Sequence, residues 1–164
     1  MDEVRYTLVA DGSSDRALIP ILDWLILEQG KASTVQGTAA DFRRTRKPRN
    51  LADKITIALE LFPCDLLFVH RDAERQDPDL RYEEISEATQ TALKNRNKPP
   101  DVICVVPVKM QEAWMLFDES AIRAAAANPN GTSSLSLPSL GDLERPICGG
   151  RNLLQTIVSG STLA

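Results

Sequence analysis

The chain has 164 residues, 43% of them hydrophobic and 26% charged, which suits one folded domain around a single core and excludes a wholly disordered chain. Its formal net charge of −4 excludes a globally basic nucleic-acid binder. Cys64, Cys104 and Cys148 are odd in number and lack metal-ligand spacing, so they are expected as reduced thiols in the cytoplasm rather than as a disulfide framework.

Met1-Asp2-Glu3 is acidic and carries no signal-peptide apolar core. A first strand is expected over Val4 to Ala10, followed by a turn at Gly12-Ser13-Ser14. Leu18, Ile21, Leu22 and Leu25 then fall at helical spacing, with Pro20 awkwardly early and Gly30 as the stop. This stretch is interrupted by Pro20 and Asp23 and is too short and polar to span a bilayer, so no membrane partner is expected. A weaker strand follows near Ser33 to Gly37, and then a basic loop, Arg43 to Arg49, with five cations in seven residues.

Leu51 to Leu61 reads as a helix, and Asp65 to Val69 as a buried strand of a parallel sheet. Pro78 opens another helix, with Tyr82, Ile85, Ala88, Thr89 and Ala92 on one face. Pro99-Pro100 precedes a strand over Val102 to Val106. A helical stretch is expected from Ala113 to Ala127, with Asp118 capping its later part, then a break at Asn128-Pro129-Asn130-Gly131. A Ser-rich loop, a short helix over Arg151 to Val158 and a frayed end complete the chain. Alternating strands and helices predict an α/β domain over residues 1–128, with a central, mainly parallel sheet of about four strands flanked by helices. Residues 129–164 are expected as a C-terminal loop and short helix packing on the same domain.

Carboxylates stand just past three of the apolar segments. Asp11 and Asp15 follow the first, Asp72 and Glu74 follow Leu66 to Val69, and Glu112 follows the strand after Pro100. Parallel α/β sheets bind ligands outside the carboxyl ends of their strands. If the three strands are neighbours, the five acids converge on one crevice as hard oxygen ligands, which suit Mg²⁺ or Mn²⁺. Each group also has an ordinary reading. Asp15 complements a helix dipole and Asp11 caps a turn. Arg71 and Arg75 neutralise Asp72 and Glu74, which crowd each other if no cation lies between them, and Glu112 is an ordinary helix-start residue.

Arg43, Arg44, Arg46, Lys47 and Arg49 fit a phosphate backbone, or a solvated loop. Lys109 lies where it could neutralise a scissile phosphate, or is a surface lysine. His70, the single histidine, is expected in a structural or hydrogen-bonding role, since two-metal phosphodiester cleavage needs no imidazole base. No P-loop, GxGxxG or nucleophile elbow is present.

Asp11-Gly12-Ser13-Ser14-Asp15, Asp72-Ala73-Glu74 and Glu112-Ala113-Trp114 together resemble the TOPRIM domain. They are closer still to small stand-alone TOPRIM-like bacterial proteins of unknown function, related to the nuclease half of the overcoming-lysogenization-defect (OLD) ATPase-nucleases. That pattern runs Glu-Gly-x-x-Glu, an Asp-x-Asp pair and a later Glu-Ala-Trp, each after a strand. The resemblance covers roughly residues 4 to 128 and implies a TOPRIM-like (Rossmannoid) fold and an Mg²⁺- or Mn²⁺-dependent nuclease acting on DNA or RNA, with DNA the favoured substrate. It also implies a prokaryotic anti-phage role beside an ATPase partner.

In that reading Asp11, Asp72, Glu74, Glu112 and Lys109 are catalytic. Asp11, Asp15, Asp72, Glu74 and Glu112 hold metal, and the Arg43 to Arg49 loop binds nucleic acid. Asp stands for Glu at 11 and 15, and Glu for Asp at 74, each changing reach by one methylene. These swaps motivate a second reading, a catalytically degenerate module that binds a protein or nucleic acid without cutting. A third, a receiver-like domain, gives the basic loop no role.

Overall fold

The computed structural model describes residues 3–30, 32–73, 76–107 and 118–137. Four strands are described: β1 (Glu3–Val9), β2 (Thr34–Ala39), β3 (Leu66–His70) and β4 (Asp101–Val105). They pair in parallel in the order β2-β1-β3-β4. The helices are α1 (Leu18–Glu28), α2 (Leu51–Leu61), α3 (Pro78–Leu93) and α4 (Glu119–Ala125). The architecture is α/β with a four-stranded parallel sheet, as the alternation predicts.

Period-two alternation in the strands supplies two cores. Tyr6, Leu8, Phe68 and Val105 face Leu18 and Leu22 of α1. Val9, Leu67, Val69, Val102 and Cys104 face the other way, onto Leu51, Ile55 and Leu59 of α2 and Ile85 of α3. Strands apolar on both faces are what a covered parallel sheet requires. Burial pushes the Cys104 thiol up to about 11, and Cys64 and Cys104 are both free thiols. No helix among the described residues is long and apolar enough to cross a membrane.

Local chemistry accounts for the boundaries. Pro20 is tolerated because a 3₁₀ turn over Ser14–Ala17 comes first and α1 proper starts at Leu18. The proline thus lies in the first α-helical turn, where a missing N–H costs least. Asn50 caps α2 by accepting the Asp53 N–H at 2.9 Å, and Asp53 accepts the Arg49 N–H at 2.9 Å. This is close to a capping box, displaced by one residue. Asp77 caps α3 ahead of Pro78, and Asp118 caps α4 by accepting the Ala121 N–H. The expected helix over Ala113 to Ala127 is therefore described only as α4; its first part, the expected helix at Arg151 to Val158 and most of the C-terminal segment lie outside the described residues.

β1 and β2 are locked by an aromatic residue over a glycine. Tyr6 is in register with Gly37, and its ring fills the space that a side chain at 37 would need. The ring meets Phe68 edge-on at 5.2 Å, and its hydroxyl donates to Asp23 at 2.7 Å. Burial, reinforced by the Asp23 carboxylate, holds the Tyr6 phenol far above its ordinary range. Gly37→Ala should therefore lower stability by about 1–3 kcal/mol through overpacking. Urea denaturation followed by circular dichroism checks this; an unchanged midpoint would mean that Tyr6 moves aside freely.

Candidate functional site at the carboxyl edge of the sheet

The connection from β1 leads outward to β2, and the next one returns across β1 to β3. The strand order therefore reverses between β1 and β3, and the crevice at such a switch point is where α/β sheets place ligands. Asp11 and Asp15 follow β1, Asp72 follows β3, and β1 and β3 are parallel neighbours, so these three acids lie at the same edge of the sheet. Glu74, Lys109 and Glu112, and with them Arg75, lie outside the described residues.

Asp15 is buried and turned inward. Its Oδ2 accepts the Gly12 N–H at 2.9 Å, closing the turn after β1, and its Oδ1 accepts from the Ser14 hydroxyl at 3.2 Å. The fully buried His70 ring, at the end of β3, stands between two carboxylates. Nδ1 is 3.3 Å from Asp15 Oδ2, and Nε2 is 3.4 Å from Asp72 Oδ1. These are ion-pair distances without hydrogen-bond alignment at either ring nitrogen. An imidazole protonated on both nitrogens can serve both acids, a neutral one only one of them. His70 bridges the loops after β1 and β3, a link that no spacing in the chain signals.

Asp11 is half exposed and held by cations. Arg71 Nε lies 3.2 Å from its Oδ2, and Lys54 Nζ lies 3.5 Å from its Oδ1. Arg71 also reaches Glu84 at 3.4 Å, and Arg81 pairs with Glu84 at 2.9 Å while donating to the Asp72 carbonyl at 3.2 Å. Arg71, considered as a neutraliser of its neighbour Asp72, pairs with Asp11 across the switch point. Lys54 is a site residue that sequence reasoning missed. Its only signal was a place in the first turns of a helix that follows a basic loop.

Most of the basic loop is internally neutralised. Arg43 donates to Asp41 from Nε at 3.0 Å and Nη2 at 2.6 Å, and Arg16 lies 3.6 Å from the same carboxylate. Arg46 makes a two-pronged contact with Asp53, 2.5 Å at each oxygen, and Arg49 Nε lies 3.4 Å from it. The Arg43 and Arg46 guanidiniums hold the Asp41 and Asp53 carboxyls well below the usual carboxylate range. Arg44 and Lys47 make no ion pair among the described residues. Beside this loop a pocket of about 560 Å³ opens at the carboxyl ends of β1 and β2, lined by Asp11, Arg16, Asp41, Arg43, Lys47 and Lys54 among others.

The oxygens of Asp11, Asp15 and Asp72 are of the type that Mg²⁺ or Mn²⁺ takes. Among the described residues no three His, Cys, Asp or Glu side chains are grouped to hold one ion. Carboxylate oxygen is the donor type a hard divalent cation takes, and Glu74 and Glu112, the further acids expected from the sequence, lie outside the described residues. No family model, curated protein or solved structure matches this chain.

His70→Ala should cost about 2–4 kcal/mol, because it leaves a cavity and two carboxylates facing each other without a nitrogen between them. Chemical denaturation at neutral pH reads this directly. A loss below about 1 kcal/mol would mean that the ring contributes little to joining the two loops.

Proposed function

We propose that this chain is a metal-dependent nuclease, hydrolysing phosphodiester bonds of DNA at the β1–β3 switch point. The observation that carries the reading is the placement of Asp11, Asp15 and Asp72 along one sheet edge, though not grouped around one point among the described residues, beside a pocket lined by cations. Acids next to cations suit a substrate whose phosphates must be both held and attacked. The TOPRIM-like resemblance of the three acidic segments supports the same reading, and with it an anti-phage role beside an ATPase partner in the cytoplasm.

Asp72 and Asp15, with Asp11, Glu74 and Glu112, would hold Mg²⁺ or Mn²⁺. When bound, the ion would polarise the scissile phosphoryl group and offset its charge. The protein's own residues do the rest. Arg71 and Lys54 fix the Asp11 carboxylate, and His70 fixes Asp15 against Asp72. Arg44 and Lys47, without ion-pair partners among the described residues, contact the phosphate backbone at the least cost to the fold. Lys109 would neutralise the phosphate under attack.

A second reading, binding without cleavage, is favoured by the same pairing. Asp11 sits against Arg71 and Lys54, and the shortened Asp11 and Asp15 must leave nitrogen partners to reach an ion. Plasmid nicking separates the two. Wild-type protein should nick supercoiled DNA with Mn²⁺ and more slowly with Mg²⁺, whose geometry is stricter. Asp72→Ala should nick at least about a hundredfold more slowly, the scale of losing one well-placed catalytic group. DNA binding without nicking under either ion would establish the second reading; equal nicking by Asp72→Ala would remove this edge from the chemistry.

A further inference from the structure

The pocket beside the basic loop has a charge pattern distinct from that of the acidic edge. Arg16, Arg43, Lys47 and Lys54 line it against two carboxylates, Asp11 and Asp41, which leaves two positive charges. Both carboxylates are already engaged: Asp41 by Arg43 and Arg16, and Asp11 by Lys54 and by Arg71, which is not part of the lining. The pocket therefore attracts an anion rather than a cation. Phe42 contributes an apolar wall, but its ring packs on the core and carries Lys54 Nζ 5.6 Å from its centroid. That arrangement leaves little of the ring for base stacking, so the pocket selects for charge.

We propose that this pocket receives the terminal phosphate of a nucleic-acid strand, a phosphomonoester, and so directs the protein to phosphorylated ends. A phosphomonoester carries about −1.5 to −2 charges at neutral pH, against −1 for an internal linkage. The two excess positive charges of the lining match the terminal group. A volume of about 560 Å³ is ample for a phosphate and the sugar that bears it. Asp11 lines this pocket and pairs with Arg71, which lies between His70 and Asp72 in the chain. Neighbouring strands are spaced about 4.8 Å apart, so a strand held by its end over β1 and β2 enters the acidic edge within its first linkages. The consequence for cleavage rests on the nuclease reading; the end preference itself does not.

Fluorescence anisotropy in EDTA tests the binding without any cleavage. An internally labelled single-stranded oligonucleotide is presented in three forms: 5′-phosphorylated, 3′-phosphorylated and hydroxyl at both ends. One phosphorylated form should bind about tenfold more tightly than the hydroxyl form, the scale of one or two charge-assisted hydrogen bonds. Which form gains identifies the end that is read, and inorganic phosphate should compete the gain away. Arg43 and Lys47 are exposed, so the double variant Arg43→Gln, Lys47→Gln should fold, as circular dichroism will show, and should cut the preference to about threefold or less. Equal binding of all three forms, no binding of any, or a preference that survives the double variant would overturn the proposal. Failure to nick plasmid would leave an observed end preference standing, so the two readings fail separately.

Discussion

The reversal of strand order between β1 and β3 is the constraint on which the rest depends. A parallel strand needs a crossover to reach its neighbour, and the two crossovers around β1 go opposite ways. That puts α1 against one face of the sheet and α2 and α3 against the other, each closing its own apolar core. It also parts the loops after β1 and β3 at their carboxyl ends, so polar groups can collect there without breaking either core.

Electrostatics then decides how those groups sit. Each described acid at this edge has a nitrogen partner: Arg71 and Lys54 for Asp11, and His70 for Asp15 and Asp72. Unpaired, a buried acid such as Asp15 would cost several kcal/mol. The same economy governs the basic loop, where Asp41 and Asp53 anchor Arg43, Arg46 and Arg49. Those arginines shape the loop around the pocket rather than wave in solvent. The exposure of Arg43 keeps its pair with Asp41 modest in energy, and Lys47 has no ion-pair partner among the described residues.

Much of the fold was legible because it rests on local rules. The span Leu51–Leu61 and the start of α3 at Pro78 are as the sequence predicts, the first from apolar periodicity and the second from a proline at a helix start. Strand ends shifted by a residue or two, and β2 ran on to Ala39 rather than ending at Gly37. Gly37, where the expected strand stops, lies inside β2, with Tyr6 of β1 covering it. Only the pairing of two distant segments reveals that. The site was legible as residue types at strand ends, and Asp11, Asp15 and Asp72 stand there. Their partners were not, because contacts such as Arg71 with Asp11 and His70 with Asp15 join residues more than fifty positions apart. No periodicity or spacing encodes a contact of that range.

The central claim is that the acids at the β1–β3 edge bind a divalent cation. A crystal soaked in Mn²⁺ and measured at the manganese absorption edge tests it most directly. The account predicts an anomalous peak bonded to Asp72, with Asp11 or Asp15 turned from its nitrogen partner toward the ion. A saturating soak that leaves no peak at this edge, with Asp11 still on Arg71 and His70 still between Asp15 and Asp72, would contradict it.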